Sequence, residues 1–231
     1  MLFWGIDITY IVLVLPAVIF AMVAQARVSG TFRKFGQVAN ARGLTGAQVA
    51  EWMLRSNGLT QIRIEQCKGS LTDHYDPKAG VIRLSESVYG YSSIGAAGIA
   101  AHECGHALQY AEGYGPIKLR NAMIPVSQFG SSLAIPLILL GFIFSMQALV
   151  TCGIVFFAAA VAFQLITLPV EFNASARALA VLESSGTLNA EEVPMARKVL
   201  NAAAMTYVAA LAVSLAQLLR LILLFGGRRR D

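Results

Sequence analysis

Between Asn121 and Val170 the chain runs for fifty residues without an Asp, Glu, Lys or Arg. One membrane-spanning helix takes about 20 residues, so the stretch is long enough for two spans and a tight turn. No part of it offers the charged face that a soluble helix turns to water. The spans are expected over residues 129–145 and 149–168, with Met146-Gln147 in the turn. Two crossings return the chain to the side it left, which places Arg120 and Glu171 in the same compartment. Composition agrees: 56% of the 231 residues are hydrophobic and 13% charged, against about 25% charged in an ordinary soluble domain.

Two further apolar runs flank this hairpin. The first covers Ile8 to Ala24, with Trp4 and Tyr10 near one end and Arg27, Arg33 and Lys34 beyond the other. A secretory signal peptide carries its positive charge before the apolar stretch. Here the charge follows, so an uncleaved span is expected. The second run is Ala202–Phe225, with Gln217 and Arg220 facing protein or snorkelling; an interfacial helix is the alternative. A separate helix capped by Asn189, with Arg197-Lys198 near its end, should precede it.

The net charge of +5 does not indicate nucleic acid, because the basic residues form no stripe interleaved with aromatics. They sit beside the apolar runs, where they report topology. Arg27, Arg33, Lys34, Arg42, Lys118, Arg120, Arg177, Arg197 and Lys198 lie on one side, and Arg228, Arg229 and Arg230 on the other. The balance puts the polar part of the chain in the cytoplasm of a multi-pass inner (cell) membrane protein. The terminal arginines conflict with this unless the last segment does not cross. Cys67, Cys104 and Cys152 lack paired spacing, so no disulfide framework is expected.

Residues 29–120 form the largest polar stretch. Gly46–Leu54 reads as a short amphipathic helix stopped by Asn57-Gly58. Gln61–Glu65 alternates polar and apolar residues, and Val81–Leu84 can return as a second strand after the turn-rich Gly69–Gly80. The expectation is a small antiparallel sheet with an edge open to an extended peptide. A helix then starts near Ser92 or Ser93 and stops at Gly113. Gly95 and Gly98 share the face of His102, and small residues there admit a second backbone.

That helix carries His102-Glu103-Cys104-Gly105-His106. Residues four apart lie about 40° from each other around a helix, so both imidazoles can share one zinc ion while the glutamate reaches a water. Cys104 points away from the pair and reads as a packing residue. A catalytic zinc site needs a third protein ligand. Glu171 leads, because the hairpin returns it to the right side and Pro169 can open a helix there. Glu112, Glu183, Glu191 and Glu192 are its rivals. Glu192 has an alternative role in a capping box with Asn189, and Glu112 points away from the histidines. A charge that merely favours a helix N-terminus is the competing account of Glu171.

The chain resembles the neutral zinc metallopeptidases of bacterial membranes of the YugP type. The residues that carry the resemblance are GSLTDHYDP (Gly69–Pro77), VIRLSESVY (Val81–Tyr89) and SIGAAGIAAHECGHALQ (Ser93–Gln109), then LPVEFNASARAL (Leu168–Leu179) and AAAMTYVAA (Ala202–Ala210). Tyr114, Pro116, Leu119-Arg120 and Pro125-Val126 continue it. The resemblance implies one Zn2+ per chain held by His102, His106 and Glu171, a gluzincin-like site with Glu103 as base. Asn173 stands where the family more often has an aspartate. Ser175 stands where related gluzincins often place an aspartate that orients a histidine, so the resemblance leaves that orienting partner unassigned, with Ser175 among the candidates.

The expected fold is a mainly α-helical integral membrane protein with a small α+β zincin-like catalytic part and about four transmembrane helices. Its segments are an N-terminal span (1–28), a catalytic region (29–120), the hairpin (121–170), the third-ligand and amphipathic helices (171–201), and a last span with a basic tail (202–231). The expected activity is zinc-dependent endopeptidase action on membrane proteins or peptides near the bilayer, with Glu103 activating a zinc-bound water. His74, Tyr75, Tyr114 and Arg177 are candidates to stabilise the transition state. His74 and Asp73 are weighed as a second metal site against a turn-stabilising role. A silent zinc-binding scaffold or chaperone is the alternative function. A proton carrier is disfavoured, because it needs ionisable groups inside its spans.

Overall fold

The computed structural model describes residues 8–225; Trp4, Arg228, Arg229 and Arg230 lie outside them. In chain order the elements are α1 (Leu15–Phe35), α2 (Gly46–Ser56), β1 (Arg63–Cys67), β2 (His74–Asp76), β3 (Val81–Ser85) and α3 (Glu86–Tyr89), then α4 (Ile94–Ala111), α5 (Gly115–Ile143), α6 (Gln147–Ser184) and α7 (Val193–Phe225). A π-helical turn at Tyr10–Val14 leads into α1. Among the described residues four helices are long and apolar enough to cross a membrane: Tyr10–Phe35, Gly115–Ile143, Gln147–Ser184 and Val193–Phe225. The protein is mainly helical with a small α+β part.

The described residues divide into two compact units. The first holds residues 8–25, 118–169 and 206–225. Its α5 and α6 pack through glycines. A side chain on Gly153 would meet the Ala134 carbonyl at 2.7 Å, and one on Gly130 would meet the Phe156 carbonyl at 2.6 Å. Such close backbone approach is how helices associate where no hydrophobic effect acts between them. Gln147 donates to the Phe225 carbonyl at 3.0 Å, and the Arg220 guanidinium lies 5.5 Å from the Tyr10 ring centre. That ring contact accounts for a charge in an otherwise apolar run. Large apolar side chains such as Phe129, Phe142, Ile143 and Val155 are exposed, a surface that suits lipid rather than water. The turn falls between Ile143 and Gln147, a residue or two earlier than the expected Met146-Gln147, with Ser145 at φ +55.

The second unit holds residues 26–117 and 170–205. Its core gathers Val49, Met53, Ile82, Leu84, Ala97, Ala100, Leu182 and Ala196 around α4. Thr45 caps α2 in a capping box with Gln48, and Ser93 caps α4 by accepting from the Ala96 amide at 3.1 Å. Gly113 ends the α4 turn at φ +66. Gly95 meets the backbone of Phe35 and Gly36, and Gly98 meets Ala196, so these two glycines admit neighbours as their spacing suggests.

Three expectations change. The sheet has three strands in the order β1-β3-β2, and β1 pairs with β3 in parallel. Only β2 runs antiparallel to β3. The turn-rich segment itself supplies β2, which takes the antiparallel position and leaves β1 to the other edge. Next, Pro169 lies inside α6 and does not open a new helix. A proline removes one helical hydrogen bond, which long apolar helices absorb through their surroundings. Lastly, the Asn189-capped helix and the final apolar run are one helix, α7. Asn189 still receives the Glu191 and Glu192 amides, and Arg197-Lys198 sits inside the helix without ending it.

Candidate metal centre

α4 is apolar around most of its circumference, so its few polar side chains stand out: His102, Glu103, His106 and Gln109. α4 meets α6 at Gly105, where any side chain would collide with the Ala174 carbonyl. That approach brings the face of α4 bearing His102 and His106 against the face of α6 bearing Glu171 and Ser175, which also lie four residues apart.

The His102 and His106 Nε2 atoms lie 3.3 Å and 3.5 Å from one oxygen of Glu171. Their candidate ligand atoms all fall within 4.8 Å of one another. A tetrahedral zinc with bonds of about 2.0–2.1 Å separates neighbouring ligand atoms by roughly 3.3 Å. The three residues therefore fit a metal ion in both donor chemistry and spacing. Glu171 is only 3% exposed. Burial works against a charge on His106, but Glu171 and Glu103 outweigh it and hold its pKa above the ordinary histidine value. The pocket thus attracts a cation.

The other nitrogen of each imidazole is also engaged. His102 Nδ1 lies 3.0 Å from Ser175 Oγ, and His106 Nδ1 lies 3.0 Å from Gln109 Oε1. Glu103 is 7% exposed, and its carboxylate has no hydrogen-bond partner among the described residues, which leaves it available to a water. Cys104 is buried on the far side and directed at the Ala50 carbonyl; burial pushes its thiol pKa well above the usual range.

Residues 10–226 match the family described as "Putative neutral zinc metallopeptidase". The chain belongs to that family. It is also 47% identical over 222 residues to the "Putative membrane protease YugP" of Bacillus subtilis (strain 168), covering 96% of this chain and 99% of that one. No solved structure matches it. The family name implies zinc, and His102, His106 and Glu171 form a group that could hold it. The relative's name and the four long apolar helices make this a membrane protein.

The remaining sequence candidates are placed elsewhere. Arg177, on α6, donates through Nε to Asn173 Oδ1 at 2.7 Å and pairs with Glu112 at 2.7 Å. It also lies 5.8 Å from the Tyr114 ring centre. Tyr75 on β2 packs edge-on against Tyr110 at 5.5 Å. His74 contacts the Thr72 carbonyl and Arg83. Asp73 accepts from the backbone and hydroxyl of Ser85, a turn-holding role. Two rivals of Glu171 are engaged: Glu112 with Arg177, and Glu192 with the Asn189 and Ala41 amides. Sequence reasoning missed Gln109 and Gly105. A glutamine in so apolar a helix was the available signal, since a buried amide requires partners.

Proposed function

We propose that the chain is a zinc-dependent endopeptidase of the cell membrane that hydrolyses peptide bonds of membrane proteins or peptides near the bilayer surface. The observation that carries this reading is the convergence of His102, His106 and Glu171 beside a buried Glu103 whose carboxylate has no hydrogen-bond partner among the described residues. When bound, zinc lowers the pKa of a coordinated water to about 7 and polarises the scissile carbonyl. The chain's own contribution is geometric and acid–base. His102, His106 and Glu171 supply the three ligands, and Ser175 and Gln109 orient the imidazoles. Glu103 takes a proton from the attacking water and passes it to the leaving amine. The free edge of β2 is an extended backbone beside α4, with Tyr75 against Tyr110, and suits a peptide laid in β fashion.

The test is cleavage of a fluorogenic peptide library by purified protein in detergent. Activity should disappear with a zinc chelator and return on adding zinc. Cleavage that survives full removal of zinc would rule the reading out.

The active site is proposed to face the cytoplasm, on the strength of the basic residues flanking the spans. Cys67 supplies a reporter, being half-exposed on β1, whereas Cys104 is buried. In a Cys152→Ala background, a membrane-impermeant thiol reagent should label Cys67 in inside-out vesicles and not in intact cells. Labelling in intact cells would reverse the orientation.

A further inference from the structure

The amide of Gln109 is fully buried and both its ends are committed. Its nitrogen donates to the Val170 carbonyl at 2.8 Å and to Asn173 Oδ1 at 2.9 Å. Its oxygen faces His106 Nδ1. An amide oxygen only accepts, so His106 Nδ1 must carry a proton and donate. One nitrogen of the ring then remains for a metal: Nε2, which faces Glu171.

The direction of this chain of hydrogen bonds is set from outside. Arg177 is always a donor, and its Nε points at Asn173 Oδ1, so Asn173 presents its oxygen. That oxygen in turn requires the nitrogen end of Gln109 to face it. Glu112 anchors Arg177 from its other side. We infer that Gln109 is a positioning residue that fixes the ring orientation and protonation of His106 for metal binding, with its own polarity dictated through Asn173 by Arg177. The inference rests on His106 being a zinc ligand. It also explains how this chain works with Asn173: only the oxygen of that side chain is used, so asparagine and aspartate serve alike.

Partners of this kind are worth about 10–100-fold in metal affinity. Zinc affinity should be measured by competition with a chromophoric chelator on the full-length protein. Gln109→Leu is expected to bind zinc about 10–100-fold more weakly. Asn173→Leu should also weaken binding, while Asn173→Asp, which still accepts from both neighbours, should stay close to wild type. The zinc-loaded wild type offers a second readout without any variant. The chain has only three histidines, so nitrogen-15 histidine labelling can resolve His106, whose Nδ1 proton should exchange slowly. Rapid exchange of that proton, wild-type affinity in Gln109→Leu, or equal damage from Asn173→Asp and Asn173→Leu would each overturn the inference. A wild type that binds no zinc overturns the metal reading and this inference with it. A wild type that binds zinc no better than Gln109→Leu overturns the inference alone.

Discussion

Glu103→Gln is expected to keep its zinc and lose its peptidase activity. Glutamine preserves the size of the side chain and removes its capacity to take a proton. General-base catalysis of this kind contributes about 10²–10⁴-fold, so the turnover number should fall by at least the lower figure. Metal content should hold at one per chain, because Glu103 is not among the three converging residues. The fold should also survive. The carboxylate is buried and has no side-chain hydrogen bond among the described residues, so exchanging it for a neutral amide removes a desolvation cost and loses only its charge interaction with His106. Paired measurements of zinc content and peptide cleavage on the purified variant separate these effects. A Glu103→Gln protein that cleaved at more than about a hundredth of the wild-type rate would place the base elsewhere.

The sequence made the convergence legible through two periodicities. Four-residue spacing put His102 and His106 on one face of α4, and the expectation of two crossings between Arg120 and Glu171 kept Glu171 in the running as their partner. Both are counting arguments, and counting survives errors in helix boundaries. Where the reading failed, the cause was local. Pro169 and Glu171 together resemble a helix start, yet α6 continues through them. The alternation in Gln61–Glu65 marks a strand but says nothing about the direction of its neighbour. The parallel pairing of β1 with β3 follows from the insertion of the three-residue β2, too short to leave a pattern. Gly105 lies between the two histidines, and the motif itself gives it no role. Its role as the contact with Ala174 depends on which helix arrives there, and no single-helix pattern carries that information.

The second large effect concerns Glu171. Glu171→Ala removes the oxygen that both imidazoles share at 3.3 Å and 3.5 Å, leaving two neutral ligands where a catalytic zinc site has three. It also removes the negative charge that makes the pocket attractive to a cation. Losing a partner that merely orients a ligand costs about 10–100-fold. Losing a ligand should cost more, so metal analysis after purification should find zinc at well below one per chain, with no cleavage. Glu183→Ala is the control, because that carboxylate lies on the same helix outside the cluster and should keep both zinc and activity. Glu171→Gln should fall between the two, since an amide oxygen retains the geometry without the charge. That ordering discriminates ligand from scaffold. If Glu171 served only to hold α6 against α4, the alanine variant would unfold or bind zinc normally, and glutamine would restore it fully. Unchanged zinc content in a folded Glu171→Ala protein would exclude this residue from the site. None of the four other carboxylates weighed against it, Glu112, Glu183, Glu191 and Glu192, converges with the two histidines among the described residues.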